Sequence, residues 1–306
     1  MNKSFSRNFI LIIYIVSFIN GSDKTYFQQD IKYDIDVTLN DKEHSLLGFE
    51  KIEYTNNSPD TLDFIWFHLW PNAYKNDSTA FAKQQIRMNN LRFSNSEIKD
   101  RGFIDSLNFI VNGIKTNMEE HPEWIDVIKL ILPNKLLPNQ SIIIETPFYV
   151  KLPLVFSRLG HSGNHYEITQ WYPKPAVYDH KGWHEMPYLN MGEFYSEFGV
   201  FDVKITLPED YRIMATGDLV NNEDEYRWLD SLSILGDSLH VLSKKDFKSK
   251  IKSMQKKSHV QNESDSLSIK MKTLHFRQKN VHDFAWFADK NWIVRKGALF
   301  LSDSTK

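Results

Sequence analysis

The stretch Tyr33-Asp-Ile-Asp-Val-Thr-Leu39 alternates apolar and polar residues at every step. A two-residue period places Tyr33, Ile35, Val37 and Leu39 on one face of a β-strand, with Asp34, Asp36 and Thr38 on the other. Asn40-Asp41 begins a turn, and Leu47-Gly-Phe-Glu-Lys-Ile-Glu-Tyr54 reads as the partner strand. Asn56-Asn-Ser-Pro-Asp60 is dense in turn formers, after which Leu62-Asp-Phe-Ile-Trp-Phe-His-Leu69 returns. Together these segments predict an antiparallel meander closed by Pro71-Asn72.

The same pattern continues outward. Phe103 to Val111, Ile125 to Leu132, Ser141 to Val150, Val200 to Leu207, Tyr211 to Thr216, Glu225 to Leu229, Leu267 to Phe276 and Val281 to Ala288 are further strand candidates. Asn112-Gly113 and Pro138-Asn139 stand where turns are needed. Ala80 to Met88 has the makings of a short helix. Lys244 to Ser266 carries seven lysines and few large apolar residues, so it reads as a solvated loop or exposed helix. No internal repeat of fixed period is present. Many short strands separated by turn formers predict an all-β fold, a curved antiparallel sheet or sandwich.

The chain opens with Lys3 and Arg7, then the apolar run Phe9 to Ile19, then Asn20-Gly21-Ser22. A charged start, a short apolar middle and a small-residue end make a secretory signal peptide over residues 1–21. The expected location is therefore the periplasm or the extracellular space, with membrane attachment only if the leader is retained. The chain has no cysteine, so stability must come from the core rather than from disulfides. Its net charge of -2 provides no field for nucleic acid.

Two histidine pairs have a spacing that a helix could turn into metal ligands: His161 with His165, and His180 with His184. Glycines stand beside both pairs, and Pro187 follows the second, which argues against a helix at either place. His184-Glu-Met-Pro-Tyr188 begins like a zinc motif but puts a phenol where the second imidazole belongs. No His-Glu-x-x-His, Gly-x-Ser-x-Gly or phosphate-binding glycine loop occurs. From Tyr166 to Phe201 ten residues are aromatic. Pro173, Pro175 and Pro187 hold this segment extended. Its rings either pack between sheets or offer a stacking surface for glycan or peptide; inward packing is the expectation.

Several stretches, in order, resemble the N-terminal domain of the M1-family zinc aminopeptidases of secreted bacterial type. They are Gly48 to Tyr54, Ile65-Trp-Phe-His-Leu-Trp-Pro-Asn-Ala73, the block from Glu167-Ile-Thr-Gln-Trp-Tyr-Pro-Lys-Pro to Leu207, Ala215-Thr-Gly217, and His275 to Ala288. The resemblance covers roughly residues 26–300. It implies a β-sheet saddle that closes one end of the cleft of a thermolysin-like catalytic domain, where two histidines and a glutamate would hold zinc. In that family the N-terminal domain also lends a Glu or Gln that anchors the substrate amine after a Thr-Gln-aromatic lead. Here Thr169-Gln170-Trp171 puts Tyr172 at that position, leaving Gln170 or Glu167 as possible substitutes.

The resemblance thus implies a substrate-binding group of Gln170, Trp171, Tyr172 and Glu167, with no catalytic or metal-binding residue in this chain. Residues 22–297 would form the β domain, and 298–306, beginning Ala298-Leu-Phe-Leu301, the start of a catalytic domain. Peptide substrate and that catalytic domain are the implied partners, with zinc held by the latter. By itself the chain is expected to have no peptidase activity. The alternatives are a stand-alone exported glycan- or peptide-binding β module, or an assembly partner docking through the face a catalytic domain would cover.

Overall fold

In the computed structural model, residues 26–262 and 270–297 are described. The leader (1–21) and the 298–306 segment therefore lie outside the described residues. No helix among those described is long and apolar enough to cross a membrane.

Strands β1 (Asp30–Asn40), β2 (Ser45–Thr55) and β3 (Leu62–His68) lead to α1 (Ala80–Arg87). Short strands β4 (Phe103–Asp105), β5 (Ile110–Val111), β6 (Ile114–Lys115) and β7 (Met118–Glu120) precede the long β8 (Val127–Leu136) and β9 (Ser141–Lys151). Next come β10 (Gly160–Ser162), β11 (His165–Ile168), β12 (Lys174–Pro175), β13 (Tyr178–Asp179) and β14 (Gly182–Trp183). The chain continues through β15 (Gly199–Pro208), β16 (Arg212–Ala215), β17 (Asp218–Leu219), α2 (Glu223–His240), α3 (Lys244–Asn262), β18 (Met271–Val281) and β19 (Trp286–Asp289).

The largest sheet runs β17-β18-β15-β1-β2-β9-β5-β6, with β4 also on β9. Its pairs are antiparallel except β1 with β15. Two four-stranded sheets, β10-β11-β19-β16 and β12-β3-β8-β7, and the hairpin β13-β14 complete the fold. The expected sheet-built architecture is what the chain adopts. Alternation decides which face each strand buries: in β1, Ile31, Tyr33, Ile35, Val37 and Leu39 are buried, and the residues between them are exposed.

Two expectations are corrected. β1 and β2 pair as predicted, but β3 does not complete a meander. It crosses to another sheet, where it pairs with β8 and β12. The free edge of β2 is taken instead by β9, over eleven residues from Ser45 opposite Lys151 to Thr55 opposite Ser141. The turn that redirects β3 is locked by Asn56, whose amide donates to the carbonyls of Asp60 (2.8 Å) and Leu136 (3.2 Å). The second correction is Glu225 to Leu229, expected as a strand, which lies inside α2. Asn222 caps that helix by accepting from the Glu225 amide, and Glu223, Asp224 and Glu225 fill its first turn. A polar cap and acids at the positive end of the peptide dipoles favour a helix over a strand. The lysine-rich segment is the helix α3, begun by Ser243, whose hydroxyl accepts from the Asp246 amide at 3.2 Å.

The three sheets meet on an aromatic core. Tyr33 stacks on Phe201 with centroids 4.5 Å apart, and Tyr172 meets both rings edge-on. Trp171 packs edge-on against Tyr172 and Trp286. Most of the aromatic run between Tyr166 and Phe201 therefore faces inward, as expected, while Tyr195 and Phe198 remain exposed. One glycine is required by close approach: a Cβ on Gly48 of β2 would fall 2.2 Å from the Phe148 ring on β9.

Candidate functional site

Past β11 the chain leaves the small sheet and turns at Gln170, whose φ of 55° is left-handed. A non-glycine residue there is uncommon and is held by its side chain. The Gln170 Nε2 donates to the Asp283 carboxylate, and its Oε1 accepts from Lys174 Nζ at 3.2 Å. Asp283 also takes the Tyr172 hydroxyl at 2.8 Å, the Phe284 amide at 2.8 Å and the Lys174 ammonium at 2.9 Å. The side chain of Lys174 is only 2 % exposed, and its charge lies 5.2 Å from the centroids of both Trp70 and Tyr172. Burial pulls the Lys174 ammonium down from its ordinary range, and Asp283 opposes that shift. Burial, then the Asp283 charge, pushes the Tyr172 phenol up. Trp171 is fully buried and donates its indole N–H to the Phe284 carbonyl at 2.9 Å.

Of the four residues expected to bind substrate, the structure brings Gln170, Trp171 and Tyr172 together in this interior knot. Glu167 is separate. It lies on β11, about one-third exposed, where His165 reaches it at 3.2 Å and Asp289 at 3.2 Å on its other ring nitrogen. The resulting surface triplet is Glu167, His165 and Asp289. β11 thus links the two places: outward-facing Glu167 precedes the buried turn by three residues.

Neither histidine pair converges. His161 and His165 sit on opposite arms of the β10-β11 hairpin. His161 points inward and stacks on His44 with centroids 3.6 Å apart, while His165 points out. Burial first, then His44, lowers His161 to about 4. His180 falls in the turn of the β13-β14 hairpin, and His184 follows β14, its Nε2 2.8 Å from Asp179. Among the described residues, no three His, Asp or Glu side chains form a metal-binding group.

Four participants were not singled out from sequence: Lys174, Asp283, His68 and Glu50. Fully buried His68 accepts from the Met186 amide at 3.2 Å and stacks on Trp70. Burial, reinforced by Lys174, lowers its pKa to about 3. Glu50 is 0 % exposed, and neither carboxylate oxygen has a hydrogen-bond partner among the described residues. Burial raises its pKa well above the ordinary carboxylate value. The alternation of β2 could have revealed Glu50, since it shares the inward register with Leu46, Gly48, Ile52 and Tyr54. Asp283 has no such signature, because only the fold brings it to Lys174.

A scan against protein-family models finds no match, and a search of curated proteins finds none. Solved structures similar to the chain include a two-domain M1 zinc metallopeptidase bound to L-arginine, with a TM-score of 0.42 and 12% identity. Others are an M1 zinc metallopeptidase from Deinococcus radiodurans (0.42, 12%) and a mutant of the enzyme from the same organism bound to a Tyr-Ser-Ala substrate (0.42, 13%). Each alignment covers 86% of this chain and 42% of the other. The chain therefore spans about two-fifths of the length of the structures it matches.

Proposed function

We propose that this chain is the substrate-side β domain of an exported M1-like zinc aminopeptidase, which shapes one wall of the cleft and leaves hydrolysis to a catalytic domain of the same polypeptide. The observation that carries the reading is the contrast within the motif block 167–174. Gln170, Tyr172 and Lys174 are fully engaged with Asp283 in the interior, whereas Glu167 keeps about a third of its side chain in solvent. Side chains that spend their donors and acceptors on one another are scaffold. In this reading Gln170, Trp171 and Tyr172 fix the wall from behind, and Glu167 faces the amino group of a peptide. A carboxylate suits that ammonium by charge-assisted hydrogen bonding. Zinc would be held by the catalytic domain, where it polarises the scissile carbonyl and activates water.

Mass spectrometry of the native polypeptide tests the reading. It expects a chain continuing past Lys306 through a His-Glu-x-x-His segment and a later glutamate. In that protein E167Q should raise KM for aminoacyl substrates about tenfold, with kcat little changed. The 306-residue chain alone should show no chelator-sensitive aminoacyl hydrolysis. A native polypeptide that ends at Lys306, or a KM that E167Q leaves unmoved, overturns the assignment. The first result would leave the stand-alone binding module as the better account.

A further inference from the structure

The chain between the paired strands β17 and β18 forms the helices α2 and α3, and a pocket of about 110 Å³ opens where the helices meet the segment after β19. Its apolar wall follows from helical spacing: Leu232, Leu235 and Leu239 share one face of α2, and Ile251 and Met254 one face of α3. Trp292 and Ile293 close the third side. The wall is firmly held. Glu225 in the first turn of α2 pairs with Lys272 of β18 at 2.9 Å, both nearly buried, beneath Trp228. Further along α2, a Cβ on Gly236 would lie 2.4 Å from the Val294 carbonyl, and Ser233 accepts from the Lys296 amide at 3.0 Å.

The two cations lining this pocket are Arg212 and Lys290. Lys290 is already neutralised by Asp41 and Asp210, each at 3.1 Å. Arg212 differs. One terminal nitrogen donates to the Trp292 carbonyl, but its Nε is buried with no partner among the described residues. No carboxylate among the described residues lies within ion-pair distance of it. Burial lowers its pKa, and the Asp289 charge only partly opposes this. A guanidinium with an unspent donor beside an apolar cavity calls for an anion carrying an apolar tail.

We propose that this pocket binds a short aliphatic carboxylate, the carboxylate on Arg212 and the tail between α2 and α3. A dry cavity of about 150 Å³ holds benzene, so the volume here suits a tail of roughly four or five carbons. The pocket adjoins the Glu167-His165-Asp289 triplet, since Trp292 meets His165 with centroids 5.8 Å apart and Arg212 lies opposite Asp289, but its ligand binding does not rest on the aminopeptidase reading.

The test uses the full chain, nitrogen-15 labelled, titrated with pentanoate and, separately, with pentylamine and pentanol. The Arg212 Nε–H and Trp292 indole resonances should move saturably with pentanoate. Pentylamine should leave them in place, and pentanol should bind at least about tenfold more weakly. R212M should abolish the pentanoate response. Since that variant could lose fold, L235W is made in parallel. It fills the cavity from a partly exposed helix position and should abolish binding with the rest of the spectrum unchanged. Equal responses to the three probes, no response to pentanoate, or full binding by a folded L235W would each overturn the proposal.

Discussion

Replacing Glu50 offers the sharpest test of how this core is built. The side chain is fully buried on the inward face of β2, and both oxygens lack a hydrogen-bond partner among the described residues. Burial raises its pKa well above 4.5. The folded protein therefore keeps the proton over a range in which the unfolded chain has released it. The folded pKa is the higher one, so the stability attached to this group is fully present below about pH 4.5 and is lost as pH rises through that window. The slope is about 1.4 kcal/mol per pH unit while the folded carboxyl stays protonated. Over two pH units of that window the loss comes to about 3 kcal/mol, a large part of a typical folding free energy.

Glu50→Gln removes the charge but keeps an unpaired polar group, so the pH-dependent part should vanish while a penalty of about 1–3 kcal/mol remains. Glu50→Leu should remove both and be the most stable of the three proteins at pH 7. Urea melts of the parent, E50Q and E50L at pH 5, 6, 7 and 8 measure this directly. Subtracting E50L from the parent cancels the other titrating groups. The reasoning fails if that difference is flat with pH, or if E50L is less stable than the parent at pH 7.

Three further outcomes are expected. Lys174→Met should destabilise by about 3–5 kcal/mol in urea melts, because it strands Asp283 in the interior, and adding Asp283→Leu should recover part of the loss. The His161 ring, lowered to about 4, stays neutral in the folded protein while the unfolded one gains a proton below about pH 6.5. Stability should accordingly fall as pH drops from 6.5 towards 4, and His161→Phe should flatten that limb relative to the parent. Gly48→Ala should cost about 1–3 kcal/mol, since its methyl meets the Phe148 ring, and Gly48→Ala combined with Phe148→Leu should restore most of it.

The fold was legible wherever burial followed the strand period. β1, β2, β9 and β15 show it nearly throughout and β8 shows it over 128–132, and the sequence predicts a strand at each. What the period cannot report is the neighbour. Nothing in Leu62 to Leu69 tells that β9, some eighty residues later, will occupy the edge of β2 and send β3 elsewhere. In Glu225 to Leu229 the alternation of Tyr226 and Trp228 with Glu225 and Arg227 mimics the strand period, so only the start of α2 separates helix from strand. Asn222-Glu-Asp-Glu225 is a capped, acidic first turn, the local signal of a helix.

The site shows the same division for a different reason. Glu167, Gln170, Trp171 and Tyr172 stand close in sequence, so a motif could gather them, yet the motif is silent on which of them face water. That depends on Asp283, more than a hundred residues away. With its carboxylate at the centre, Gln170, Tyr172 and Lys174 turn inward, since an acid with so little exposure keeps its charge only when its oxygens are engaged. Glu50, without such partners, shows what the alternative is: protonation rather than pairing. The two acids therefore meet burial by opposite means. Asp283, whose carboxylate is paired with Lys174 and hydrogen-bonded by Tyr172, can anchor the wall.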